Sequence, residues 1–425
     1  MTATSGYFFS FIIRNGDLYG FGINDTCQLG IGNSLNQPRP ILMDRNVIFD
    51  GRSVIMTSAG MAHAGCVTCD GSLYMWGSGQ FGQLALGDLV FSARVPHRIP
   101  RPVFGDSPVT MIACGADFSL VLTGNGLVWG SGDAQTGQLG ARNHVIQTHF
   151  SHIDAWRFDN TPIASIAAGY GHGMALSRTG GKLWTWGLNR NGQLGHGNWD
   201  FSVSTPKLVA MNSAPGGGDF VYMDGGSDFS MAITSTGVLW SCGSGADGSL
   251  GIDIQGKSTN RFRCVWDPVH MDKAEVRMVS CGDSHTLLVT KDNVVWVSGK
   301  HGSWTETESL LHEPPCNAAC FRRMSPSLFE EHDIELVSAG NETSLAVSTQ
   351  GHLYIWGDHT HHAGEHLQPF KMCASEFSNV SLGRWHYLFP GHILALCMGR
   401  HRRLGSDTPY GNMDEEIFRL IYNEL

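Results

Sequence analysis

Five segments of the chain could do chemistry. "GLNRNGQLGHGN" at 187–198 is rich in glycine and asparagine, and such a loop cradles phosphate when a helix follows it. Cys66 and Cys69 form a C-x-x-C in "GCVTCDG". "DHTHHAGEH" offers His359, His361, His362, Glu365 and His366 at metal-ligand spacing, and "HEPPCNAACFRRM" offers His312, Cys316 and Cys320. The fifth is a recurrent turn of the form Gly-x-x-His or Gly-x-x-Phe. It carries Asp117 in "GADFS", Asp228 in "GSDFS" and Asp283 in "GDSHT", with His63, His172 and His285 at its end. Aspartates of that kind, gathered by repetition on one face, suit a basic protein surface. The alternative is that the histidines and serines satisfy backbone groups between strands.

What positions these segments decides among them. The opening glycine loop has relatives at "GFGINDTCQLGIGN", "MWGSGQFGQLALGD", "VWGSGDAQTGQLGARN" and "SCGSGADGSLGID", with weaker copies at "VSGKHGSWTET" and "IWGDHTHHAGEHL". The glycines after the aromatic position are Gly22, Gly77, Gly130, Gly187, Gly243, Gly299 and Gly357, spaced by 55, 53, 57, 56, 56 and 58 residues. A period of this size means one supersecondary unit in an array. Each unit reads as a short run ending in glycine ("SIAAG"), a run starting with His or Phe ("HGMALS", "FSLVLT"), a tight turn, and a run ending in Trp-Gly ("KLWTWG"). A less regular segment follows, usually with a proline (Pro38, Pro96, Pro206, Pro268, Pro369). Short runs bounded by turn residues are strands, and proline confines the fourth to an edge. Four strands per unit about a channel make a propeller blade. Strands flank the glycine loop on both sides, so it is an architectural turn rather than a phosphate loop. The "DHTHHAGEH" segment occupies the same place and is a degenerate copy. Residues three apart on a strand face opposite ways, so Cys66 and Cys69 do not share a metal. No nucleophile elbow, phosphate loop or other enzymatic or cofactor motif stands in its required context, so neither catalysis, a cofactor nor a metal is expected.

These units resemble the regulator of chromosome condensation repeat over about residues 6–388, through Gly-x-x-His-Ser/Thr, Leu-Tyr/Trp-x-Trp-Gly and Gly-Gln-Leu-Gly-x-Gly. The resemblance implies an all-β, seven-bladed propeller of four-stranded blades. The ring is expected to close by sharing one blade between the termini, because "YFFSFIIRNGDLYGFG" begins at a second strand and "NVSLGRWHY" (379–387) matches a first. The mixed blade would hold residues near 7–40 and 378–386. Exchange-factor members of the family meet a small GTPase through one propeller face, with the Gly-x-x-His turns carrying much of the contact. They also insert a wedge in one blade. Here the equivalent "WGSGDAQTGQLGARN" is an ordinary turn, which argues against exchange activity. Chromatin binding in the family uses a basic N-terminal tail, and this chain starts almost directly in a strand.

The chain thus divides into a propeller at 1–388 and a C-terminal helical tail at 389–425. In the tail, Arg400, Arg402 and Arg403 form a basic cluster. Ile417, Leu420, Ile421 and Leu425 follow a capping box (Asn412, Glu415) at helical spacing. The tail is similar to one appended to such repeats in proteins of large DNA viruses and protists. Among the 12 tryptophans, those of the Trp-Gly strand ends (Trp76, Trp129, Trp186 and Trp356) read as core packing. A net charge of −10 argues against direct nucleic-acid binding, and no apolar run of about 18 residues suggests a membrane span. Eleven unpaired-looking cysteines point to a reducing compartment (cytoplasm, nucleus or virion) and not to secretion. The expected function is a non-enzymatic scaffold for protein partners, inside a larger assembly. The alternatives are exchange on a small GTPase or chromatin association. Long segments at 143–161, 211–220 and 300–333 are expected to be insertions that carry specificity.

Overall fold

A computed structural model describes residues 1–372 except 89, 142–143, 211–217, 255, 272, 301–319 and 358–365. The expected tail with Arg400, Arg402, Arg403, Ile417, Leu420, Ile421 and Leu425 lies outside the described residues, as do His312, Cys316 and His359, His361, His362 and Glu365.

Seven four-stranded antiparallel sheets follow one another along the chain. Blade four shows the plan, with strands at Ile163–Ala168, His172–Ser177, Leu183–Leu188 and Ser202–Leu208. The second strand of every blade is buried on both faces from its first residue, a Phe or His in blades one to six and Thr343 in blade seven, because it lies between two neighbouring blades. Prolines Pro38, Pro96, Pro206 and Pro369 do lie in fourth strands, at the outer edge. Pro268 instead starts a short helix, Pro268–Met271, between blades five and six. The connectors between blades bury a phenylalanine under the blade that follows. Phe49 meets Tyr74, Phe104 meets Trp129, Phe158 meets Trp184 and Phe329 meets Tyr354, each edge to face at 5.1–5.8 Å. The Trp-Gly tryptophans Trp76, Trp186 and Trp356 are fully buried. The segment at 143–161 is no insertion: it holds the fourth strand of blade three, Gln147–Ile153, and the connector turn Ala155–Phe158.

The inner strands wall the channel: Thr2–Ser5, Val54–Ala59, Val109–Cys114, Ile163–Ala168, Phe220–Gly225, Val276–Cys281 and Ile334–Ala339. The first corrects the expected closure. The inner strand of blade one is Thr2–Ser5, paired with Phe9–Arg14 in the register Thr2 to Ile13 and Ser5 to Ser10, so the place expected for 378–386 is already filled. "TATSG" is itself a short run ending in glycine. Its lack of large apolar residues hid it, but the inner strand lines a channel and does not need them. All four strands of blade one are therefore consecutive, and the ring closes by contact. Ser5 donates its backbone N–H to Ser338 Oγ at 2.9 Å. The same bond links Cys114 to Ser58 (2.9 Å) and Ala339 to Ser280 (3.0 Å) elsewhere in the ring. Ile12, Tyr19 and Phe21 of blade one pack with Leu345, Val347 and Ile355 of blade seven.

This closure is open to test. Removing residues 1–5 takes away the inner strand and its bond to Ser338, and thermal melting of the truncated protein is expected to lose most of its cooperativity or fall by many degrees. A truncated protein that melts like the full chain would show that another segment holds the seam.

Candidate functional site

Antiparallel order places the turns between first and second strands, and the loops between third and fourth, on one face of the ring. The second-to-third hairpins and the blade connectors lie on the other. We call these the loop face and the hairpin face.

The glycine loops are joints between blades. In four of them the Gln side-chain oxygen accepts the backbone N–H two residues back: Thr26 to Gln28 (2.9 Å), Phe81 to Gln83 (2.9 Å), Thr136 to Gln138 (2.9 Å) and Asn191 to Gln193 (3.0 Å). With its loop thus folded, each backbone carbonyl reaches the following blade. Gln28 O accepts from Trp76 Nε1 at 2.9 Å, and Gln138 O from Trp186 Nε1 at 2.8 Å. Gln83 O accepts from Ser119 Oγ at 2.9 Å, and Gln193 O from Ser230 Oγ at 2.7 Å. The donors that a phosphate loop would aim at an anion are thus spent on the fold. The third-blade loop has this same build, with nothing inserted.

The turn histidines are joints too, which corrects their expected place on a partner face. His63, His172 and His285 are fully buried. Their Nε2 atoms meet Ser119 Oγ (2.9 Å), Ser230 Oγ (2.8 Å) and Ser344 Oγ (3.0 Å) of the next blade. Burial pushes His63 down to about 3 and His172 to about 4, so both are neutral at physiological pH. Blades one, three and five carry Phe9, Phe118 and Phe229 at this position, followed by the serine that accepts the contact in blades three and five. This alternation of His with Phe-Ser along the repeats was the signal for a structural role.

The aspartates of the same turns stand differently. Asp117, Asp228 and Asp283 are half-buried around the channel mouth. Each has a neutral donor: Gln83 Nε2 to Asp117 at 3.3 Å, Gln193 Nε2 to Asp228 at 3.1 Å and Tyr7 OH to Asp283 at 3.4 Å. Burial and the nearby Asp133 raise the Asp117 carboxyl. Burial and then Asp283 push the Tyr7 phenol up to about 12, and burial with Asp117, Asp283 and Asp228 raises Tyr170. Both tyrosines therefore keep their hydroxyl protons. The seven turns also contain Glu342 and hold no Lys or Arg. On the hairpin face, by contrast, carboxylates sit against cations, as in Arg45–Asp17 (3.3 Å), Arg52–Asp70 (2.9 Å), Lys291–Glu275 (2.6 Å) and Lys371–Glu330 (2.6 Å).

Behind the mouth lies a channel cavity of about 180 Å³, lined by Tyr7, Met61, Tyr170, Asp283, Asp224 and backbone of the turns. Asp224 went unnoticed in the sequence. It stands two residues before the turn glycine, where other blades have Ser58, Ser280 and Ser338. Like them it accepts the N–H of the next inner strand, from Cys281 at 2.8 Å, and it accepts from Gly225 N at 3.0 Å. Burial raises this carboxyl to about 7, against the pull of the Cys281 and Gly225 N–H groups and the Ser280 hydroxyl. Of the cysteines, Cys66 is buried in its strand and Cys69 is exposed in the turn beyond it. No helix among the described residues is long and apolar enough to cross a membrane.

Two measurements follow from these joints. His172→Ala removes a buried side chain and leaves a cavity, so it is expected to cost about 2–4 kcal/mol and lower the melting temperature by several degrees. Asp117→Asn at the surface should stay within about 0.5 kcal/mol; equal effects of the two would return His172 to the surface. Asp224 binds its proton more tightly in the folded ring than in the unfolded chain. Its ionisation therefore removes stability as pH rises from the ordinary carboxylate range through about 7. Asp224→Ser should raise the melting temperature by several degrees at pH 8 and by well under half as much at pH 5. A pH-independent change would show that Asp224 titrates normally.

Comparison with known proteins agrees with this architecture. The model of the RCC1-like domain matches residues 2–308, and that of the regulator of chromosome condensation (RCC1) repeat matches 334–362. The chain is 31% identical over 302 residues to the ultraviolet-B receptor UVR8 of Arabidopsis thaliana, covering 69% of this chain and 63% of that protein. It is 26% identical over 307 residues to the Protein RCC2 homolog of Xenopus laevis, covering 67% and 56%. The chain thus spans less than two thirds of the length of these relatives. Among solved structures, Prp20p from Saccharomyces cerevisiae, described with its binding to Gsp1p and histones, superposes with a TM-score of 0.69 at 20% identity, over 88% of this chain and 83% of its own. Human WBSCR16 gives 0.69 at 18%, over 84% and 94%. With its seven complete blades and the family model matched over most of its length, the chain belongs to the RCC1-like β-propeller family.

Proposed function

We propose that this propeller is a non-enzymatic scaffold that holds protein partners on its loop face, within a larger assembly. One observation carries this: Asp117, Asp228 and Asp283 stand at the channel mouth against neutral donors, while carboxylates of the hairpin face such as Asp17, Asp70 and Glu275 have cations beside them. A carboxylate kept half-exposed, with no cation beside it among the described residues, suits a basic partner surface. The glycine loops and turn histidines, the other ligand candidates, are engaged between blades. The ring beneath is rigid, which lets its loops present side chains at fixed places. The yeast propeller Prp20p, described with its binding to Gsp1p and histones, fits partner binding by this fold. Exchange on a small GTPase is the rival function, and the third-blade loop, built like the others, favours the scaffold over it.

The test is cross-linking and affinity capture from the native source, with and without EDTA. The expected result is a stable set of protein neighbours, unchanged by EDTA, whose cross-links map to the loop face. A small GTPase captured only after EDTA strips its nucleotide would make exchange the function instead.

A further inference from the structure

Among the described residues, the loop face carries exposed apolar side chains along its rim and carboxylates toward its mouth. Over blades one to four, its third-to-fourth loops expose Leu35, Phe91, Val145, Trp199 and Phe201, each more than half accessible. These residues sit at the same place in consecutive blades, just before the outer strand, so they form one arc along the rim. The inner turns of blades one, two and four continue it inward, exposing Phe8, Met61 and Tyr170. The same turns present Asp117 in blade three and Asp228, Asp283 and Glu342 in blades five, six and seven. The apolar arc and the carboxylates meet at the mouth, where Tyr7 OH reaches Asp283 Oδ1 at 3.4 Å.

Apolar side chains repeated at one place in four consecutive blades serve an interface rather than standing as scattered single residues. Trp and Tyr are the residue types that anchor protein interfaces. The charge beside them selects the occupant. Carboxylates repel phosphates and anionic lipid headgroups, which argues against nucleic acid and membrane. A second copy of the chain would bring the same carboxylates. A cation that reaches the mouth gains Asp228 and Asp283 and the faces of Tyr7 and Tyr170. We infer that the loop face takes an amphipathic, lysine- or arginine-bearing segment of a protein partner, with its apolar side toward blades one to four and a cationic side chain at the channel mouth. This rests on the scaffold function proposed above and names the chemistry of its partner.

The test uses the full chain and three labelled peptides of one amphipathic pattern, with leucine on one side and lysine, glutamine or glutamate on the other. Binding is followed by fluorescence anisotropy at 0.15 M salt. The lysine peptide is expected to bind at least about tenfold more tightly than the glutamine one, a difference of about 1.4 kcal/mol. Two double variants, Trp199→Ser with Phe201→Ser and Asp228→Asn with Asp283→Asn, should each weaken it by a similar factor while keeping the wild-type melting curve. Unchanged binding to both variants, or preference for the glutamate peptide, overturns the inference. So does a dimer of the full chain that Trp199→Ser dissolves, because the occupant is then a second copy. The two proposals fail separately. Native cross-links confined to the hairpin face would defeat the scaffold surface itself. Loop-face cross-links to a partner that both variants hold at full strength would defeat only the amphipathic basic segment.

Discussion

Seven glycines at the ends of the inner strands meet around the channel, and the ring cannot be drawn tighter. They are Gly6, Gly60, Gly115, Gly169, Gly226, Gly282 and Gly340. A Cβ placed on Gly60 would lie 2.2 Å from Gly115 O, and one on Gly282 would lie 2.3 Å from Gly340 O. The circle closes on itself, since a Cβ on Gly340 would stand 2.5 Å from Gly6 O. Each glycine also turns its chain by the same bond, donating its N–H to the residue three ahead, from Gly6 to Phe9 O (2.8 Å) through Gly340 to Thr343 O (2.8 Å). Any side chain here would push neighbouring blades apart, so this close approach sets how near seven blades can stand.

Around that inner circle, polar joints hold the blades in register while apolar packing supplies most of the stability. His–Ser contacts join blades two to three, four to five and six to seven. The carbonyls of the glycine loops reach forward to a Trp or Ser of the next blade. Farther out, connector phenylalanines fill the space beneath the tryptophans. Each joint satisfies a buried donor or acceptor that would otherwise cost about 1–3 kcal/mol, which explains why one loop sequence recurs so closely. Asp224 stands apart, a titratable group where blades two, six and seven use serine, and burial raises its carboxyl to about 7.

Such a ring leaves its two faces free to differ. Charges on the hairpin face are drawn into pairs between hairpins and connectors, which ties successive blades at the surface. On the loop face the same kind of residue is held by amides and a phenol, next to exposed aromatic side chains. On the scaffold function proposed above, a closed ring whose two faces differ in this way holds another protein in a fixed orientation.

Much of this was legible before any coordinates. The period near 56 residues, the turn glycines and the edge prolines yield the blade count and the order of strands, because each is dictated locally by backbone conformation. The assignment of the glycine loops to architecture follows from the strands that flank them. Other features depended on residues far apart in the chain. Whether a turn histidine faces solvent or a serine 56–59 residues away is settled only when blades pack, and packing buries it. The turn aspartates, Asp117 and Asp228 just before a phenylalanine and Asp283 two residues before His285, stay half-exposed because the turn points them to the mouth. The seam followed the same logic. A first strand that lines a channel needs no large apolar residues, so "TATSG" carries little signal, and its role is decided by its pairing with Phe9–Arg14 and its bond to Ser338. Local pattern therefore determined the units and their number, while tertiary contact between units decided which polar residues hold the ring and which stay at its surface.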